Sequence, residues 1–150
     1  MATTRVVRID FTVEIERPVE DVFAYLTDVN SLPQWQSSLV EMRAETDAPM
    51  RVGTRLVETR KFLGRRMEST LEVTAYERNR LWALRVVDGP VPYRVEHTLE
   101  STNGGTRLAW VGEGEPGRFF KVAEPLVARQ AKRQFRGDFE TMKDILETSG

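Results

Sequence analysis

The sequence predicts an α+β domain in which a curved antiparallel sheet of about seven strands wraps around one long C-terminal helix. Three observations carry this. Apolar and polar residues alternate with period two in a series of short segments bounded by Gly, Pro, Asn and Asp. Two short helical patterns interrupt that series once, directly after its first segment. From Pro125 to Glu147 the period changes, and apolar residues recur every three or four positions.

Composition sets the bounds. The 150 residues fit a single domain spanning 1–150, with no room for a second full core. Apolar residues make up 40% and charged residues 30%, a globular balance. The 22 Lys and Arg against 23 Asp and Glu give a formal net charge of -1, which argues against a nucleic-acid partner. The absence of Cys excludes a disulfide framework, a thiolate metal site and a cysteine nucleophile. One His excludes a poly-histidine zinc site, and no metal-ligand spacing, nucleophile elbow or phosphate-binding glycine loop is present. No metal or cofactor is therefore expected. The start, Met1-Ala2-Thr3-Thr4-Arg5, has no apolar core, and no window approaches 18 apolar residues. A cytoplasmic protein without stable membrane insertion is expected.

The elements follow in order. Ile9, Phe11, Val13 and Ile15 alternate with Asp10, Thr12, Glu14 and Glu16, a half-buried strand. Pro18, then Glu20 and Asp21, suit the first turn of a helix over about 18–28, with Val19, Val22, Phe23 and Leu26 on its apolar stripe. Asn30-Ser31-Leu32-Pro33 starts a second short helix, about 31–36, carrying Trp35. Strands are expected over 40–45, 54–63, 67–74, 81–87, 93–100 and 107–110. In the first of these, Val40, Met42 and Ala44 share a face. Asn103-Gly104-Gly105 marks a hairpin. Short connections imply an antiparallel meander with one covered face. The closing helix, 125–147, presents Val127, Ala131, Phe135, Phe139, Met142 and Leu146 on one stripe. Gly137 inside it costs about 1 kcal/mol against Ala, which a close packing contact could explain.

That order, together with "RPVEDVFAYLTDVNSLPQW", "VGTRLVETRKFLGRRMESTLEVTAY", "VPYRVEHTLES" and "GGTRLAW", resembles the polyketide cyclase/dehydrase-like branch of the START/Bet v 1 (SRPBCC) superfamily. The resemblance covers nearly the whole chain. It is most specific at Pro18-Val19-Glu20-Asp21-Val22-Phe23, followed by Asp28 and Trp35. It implies a helix-grip fold whose sheet and long helix enclose a deep, mostly apolar cavity. Superfamily members differ widely in function, so fold alone does not give the chemistry.

The residues themselves allow two interiors. The helix stripe is bulky late and small early (Ala123, Val127, Ala131), which leaves volume facing a curved sheet. Met42, Met67, Trp82, Tyr93, His97 and Trp110 would form the opposite wall, or would simply fill the space as an ordinary core. The resemblance favours the hollow interior. His97 points inward beside Tyr93, because Arg94, Glu96, Thr98 and Glu100 mark the wet face. It is either a general acid or base or a core histidine bonded to one polar neighbour. In segment 54–63, Leu56, Glu58, Arg60 and Phe62 share one face and Val57, Thr59, Lys61 and Leu63 the other. The bulkier Phe62 favours the first set as inward, which would bring Glu58 and Arg60 inside as a pair. Trp35 would close one end as a lid or plug. Phe120, beside Phe119 and after Gly114-Glu115-Pro116-Gly117, would flank the mouth. The basic stretch 118–136 is read as a solvated outer face, or else a surface for anionic lipid or nucleic acid.

Two functions follow as expectations. The first is a binding or carrier protein for a small hydrophobic or amphipathic molecule, contacted by Trp35, Met42, Phe62, Met67, Trp82, Tyr93, His97, Trp110, Phe120, Val127 and Ala131. The second, implied by the resemblance, is a polyketide cyclase/aromatase or dehydratase using His97, Tyr93, Glu58 and Arg60 in the same cavity.

Overall fold

A computed structural model of the chain describes residues 6–116 and 124–149. The elements are β1 (Val7–Ile15), α1 (Val19–Leu26), a single 3-10 turn (Leu32–Gln34), β2 (Leu39–Ala44), β3 (Arg55–Phe62), β4 (Arg65–Glu77), β5 (Leu81–Asp88), β6 (Tyr93–Thr102), β7 (Gly105–Gly114) and α2 (Glu124–Thr148). The strands form one seven-stranded sheet in the order β1-β7-β6-β5-β4-β3-β2. Every pairing is antiparallel. From β2 to β7 the chain meanders, and β1 closes on β7 with Phe11 opposite Trp110. α1 and the 3-10 turn carry the chain from one sheet edge to the other.

The sheet bends because its register slips. Slips fall between Leu39 and Glu41 in β2, and at Thr70/Leu71 and Val73/Ala75 in β4. An extra residue on one strand of a pair increases local twist and bends that strand. The slip in β2 also corrects the expected inward set. Leu39 is buried, whereas Val40 is turned out to solvent.

α1 begins after Pro18, whose missing N–H would have had no helical partner. Val22, Phe23 and Leu26 bury its inner face. The second helix expected over 31–36 is corrected to a single 3-10 turn, with Trp35 at its end. Pro33 within it and two flanking turns leave no length for an α-helix. Pro125 is the second residue of α2, where its ring and missing N–H disturb no helical hydrogen bond.

α2 packs chiefly along β1. Lys143 Nζ donates to the Glu14 carbonyl at 2.7 Å, and the Glu147 carboxylate accepts from the Glu16 N–H at 2.8 Å. Arg17 donates to the Leu146 carbonyl at 2.5 Å, placing a cation at the negative end of the helix dipole. Phe139 is the hub of the core between helix and sheet. Its ring lies 5.5 Å from Phe11, 4.8 Å from Trp35 and 5.9 Å from His97.

The close contact expected at Gly137 does not exist. The residue is exposed, and a Cβ built there meets nothing within 4 Å. Gly137→Ala is therefore expected to stabilise the protein by about 1 kcal/mol, through helix propensity alone. A rise in the urea midpoint at unchanged slope would measure it. An unchanged midpoint would mean that α2 does not extend through this position in solution.

Candidate functional site

β3 turns Leu56, Glu58 and Phe62 into the interior. Glu58 is 2% exposed, and the side chain of Arg60 is 12% exposed. Two buried charges on one strand are tolerable only when paired and hydrogen-bonded, and these are. Arg60 Nη2 donates to Glu58 Oε1 at 3.0 Å and to Gln36 Oε1 at 3.0 Å. Its Nη1 donates to Ser38 Oγ at 2.7 Å, and its Nε to Glu58 Oε2 at 3.4 Å. The Tyr93 hydroxyl, from β6, donates to Glu58 Oε2. Burial opposes the Arg60 charge, but Glu58, by its charge and its hydrogen bonds, together with Tyr93 and Asp138, outweighs it and holds the guanidinium protonated. Burial and the Glu58 charge together push the Tyr93 hydroxyl well above its ordinary range, so it remains a neutral donor.

Asp138 reaches the same region from α2 and is 4% exposed. Its Oδ1 accepts from the Ser37 N–H at 3.1 Å and the Ser37 hydroxyl at 2.7 Å. Its Oδ2 is buried without a hydrogen-bond partner. Burial raises the carboxyl above its ordinary value, against the pull of the Ser37 bonds and of Arg60.

His97, from β6, is also buried. Its ring stacks on Trp82 at 5.2 Å, and Nδ1 is 2.9 Å from the Trp82 carbonyl. A carbonyl only accepts, so Nδ1 carries the proton and Nε2 is the basic nitrogen. Burial lowers the imidazole to about 4, despite that bond. The side chain is neutral at pH 7.

These groups border an internal space of about 170 Å³ between α2 and the concave face of the sheet. Its helix side is small toward the N-terminus of α2, at Val127, Ala128 and Ala131, and bulky further along, at Phe135 and Phe139, with Asp138 between them. Met42, Phe62, Met67, Trp82 and Trp110 form apolar walls, and Tyr93 and His97 stand among them. Gly112 leaves room for the Trp110 indole, since a Cβ there would lie 2.4 Å from the ring. Among the described residues that border the space, Arg94 is exposed and marks where it approaches solvent.

Of the two readings of Trp35, lid or plug, the packing is that of a plug, and its expected place on the wall of the space is not seen. It is 2% exposed, packs on Phe139 and does not border the space. The next residue, Gln36, borders it instead. Phe120, with Phe119, Ala123 and the start of the basic stretch, lies outside the described residues. Arg129, Lys132, Arg133 and Arg136 are exposed on the outer side of α2. Sequence reasoning missed Gln36, Ser38, Ser69 and Asp138 as wall or network residues. Asp138 was findable, being three residues after Phe135 and four before Met142 on the apolar stripe. Gln36 and Ser38 follow a turn with no periodicity and gave no signal. Among the described residues, no group of three or more metal-ligating side chains is assembled. No helix there is long and apolar enough to cross a membrane.

Residues 6–147 match the model of a family described as polyketide cyclase / dehydrase and lipid transport. No curated protein matches the sequence significantly. Among solved structures, a START superfamily protein from Mycobacterium smegmatis superposes with a TM-score of 0.80 at 14% identity, covering 95% of this chain and 99% of its own. A conserved protein from Geobacillus kaustophilus gives 0.79 at 16% identity, covering 95% and 96%. Ara h 8.0201 gives 0.70 at 12% identity, covering 95% and 98%. At these identities the likeness establishes the fold alone, which is the helix-grip fold.

Proposed function

The chain belongs to the polyketide cyclase / dehydrase and lipid transport family, and from that premise we propose that it binds a small hydrophobic or amphipathic molecule between α2 and the sheet. The observation that carries this reading is the contrast within the interior wall. On the N-terminal half of α2 the small side chains Val127, Ala128 and Ala131 face large apolar ones on the sheet across open volume, while Phe135 and Phe139 bound that volume further along the helix. Burial of apolar surface, at about 25 cal/mol per Å², is then the main source of affinity. The polar network at Glu58, Arg60 and Tyr93 orients the guest. Cytoplasmic carriage of such a molecule is part of the same proposal.

A second reading has one observation in its favour. Tyr93, a neutral hydroxyl, and His97, a neutral imidazole, border the same volume as a buried carboxylate. That set could move protons during aldol closure or loss of water from a folded poly-ketone, as a cyclase or dehydratase requires.

Native mass spectrometry of freshly purified protein tests both. A carrier is expected to retain a guest whose mass stays constant on incubation. A dehydratase is expected to release one that has lost a water. Ala131→Leu places three further carbons in the space and is expected to reduce guest occupancy at least tenfold, with the circular dichroism spectrum unchanged. Undiminished occupancy in that variant would locate the guest elsewhere and refute the proposal.

A further inference from the structure

The charges that border the interior space select against an anion. Among the described residues they are the carboxylates of Glu58, Glu113 and Asp138 and the guanidiniums of Arg60 and Arg94. Each guanidinium already faces a carboxylate. Arg60 spends four of its five N–H donors on Glu58, Ser38 and Gln36. Arg94 donates to Glu113 at 2.6 Å, and that carboxylate also accepts from Arg8 at 3.4 Å. On the acceptor side one group is left over. Asp138 is 4% exposed, borders the space, and has an oxygen with no partner. A buried acceptor without a donor carries a standing desolvation cost that a ligand can relieve.

We infer that the occupant is an apolar molecule whose head is an uncharged or cationic hydrogen-bond donor, a hydroxyl or an amine, and not a carboxylate. This rests on the ligand-binding reading above and goes further by naming the head group. Inside, a carboxylate head meets the two buried carboxylates of Glu58 and Asp138 and one buried guanidinium already bound to Glu58; Arg94 is exposed at the edge and paired with Glu113. Such a head also offers Asp138 nothing to accept. Glu58 is thus a specificity residue acting through Arg60: it binds the guanidinium that would otherwise attract an anion.

Three probes with the same tail test this by isothermal titration calorimetry at pH 7.5: 1-octanol, octylamine and octanoate. Wild-type protein is expected to bind the alcohol and the amine at least tenfold more tightly than octanoate. Glu58→Gln keeps an acceptor for Arg60 but frees its charge, and is expected to raise octanoate affinity at least tenfold. Asp138→Asn is expected to weaken octylamine and strengthen octanoate. It supplies the same comparison if circular dichroism finds Glu58→Gln unfolded. Octanoate binding as tightly as octanol in the wild type would overturn the inference and leave the ligand-binding reading intact. Absence of heat with all three probes would remove both together.

Discussion

Arg60→Met is expected to destabilise the protein by about 3–5 kcal/mol, the cost of leaving a buried charge without its partner. The variant keeps most of the side-chain volume and removes only the charge and its donors. Glu58, 2% exposed, would retain the Tyr93 hydroxyl and lose both of its guanidinium contacts. Ser38 and Gln36 would lose a donor each. The double variant Glu58→Met/Arg60→Met removes both charges at once. It is expected to recover at least half of the single variant's loss, because an apolar pair of similar volume carries no Born penalty. Urea denaturation of wild type, both single variants and the double variant closes the cycle. A loss below about 1 kcal/mol for Arg60→Met would mean that water reaches Glu58 and that the network belongs to the surface. The result also bears on specificity. A pair that strong keeps Arg60 turned toward Glu58 whether or not a guest is present.

The elements that alternate or repeat strictly were legible in the sequence. Ile9 to Ile15 and Met67 to Val73 read as half-buried strands because a period of two leaves one answer for which face is covered. The stripe of α2 read equally well from Val127 to Leu146. In β3 both faces carry apolar and charged residues, so the choice rested on side-chain bulk at Phe62, and the structure places that face inward. What alternation could not give were departures from it. The slip at Leu39/Glu41 turns Val40 outward, because one extra residue inverts every position before it. Local pattern is also blind to pairing across the chain. Nothing in the neighbourhood of Asp138 announces Ser37, 101 positions away. Its burial is marked in the sequence only by its spacing from Phe135 and Met142 on the apolar stripe. Gly137 shows the reverse error. A residue that costs helix stability invites a packing explanation, and here the space beside it is empty.

Acidification is expected to destabilise the protein through His97 before most carboxylates titrate. The folded protein holds this imidazole neutral down to about 4, by burial, while the unfolded chain protonates it near the ordinary histidine value of 6.5. Above pH 6.5 both states are neutral and His97 makes stability no steeper. Between 6.5 and 4 the unfolded state binds the proton and the folded state does not, so stability falls as pH falls. Over that window the loss approaches about 3 kcal/mol, at about 1.4 kcal/mol per pH unit. Asp138 acts in the opposite sense. Its raised carboxyl takes up a proton in the folded state before the unfolded one, which returns some stability as pH falls. The two are separated by His97→Asn, whose amide can still donate to the Trp82 carbonyl but does not titrate. Urea denaturation at pH 7 and pH 4.5 is expected to cost the wild type about 2 kcal/mol more than the variant. Equal losses would mean that the folded protein accommodates an imidazolium against Trp82 and Phe139. The sequence contains one histidine, so its ring proton gives a single NMR titration curve that reads the same value directly. The chemical consequence follows from the same number. A histidine that stays neutral to about 4 can accept a proton or a hydrogen bond from a guest at pH 7, but cannot arrive charged as a general acid. If this interior performs proton transfer, the donor must be sought at the neutral hydroxyl of Tyr93, and His97 can enter the reaction only as its base.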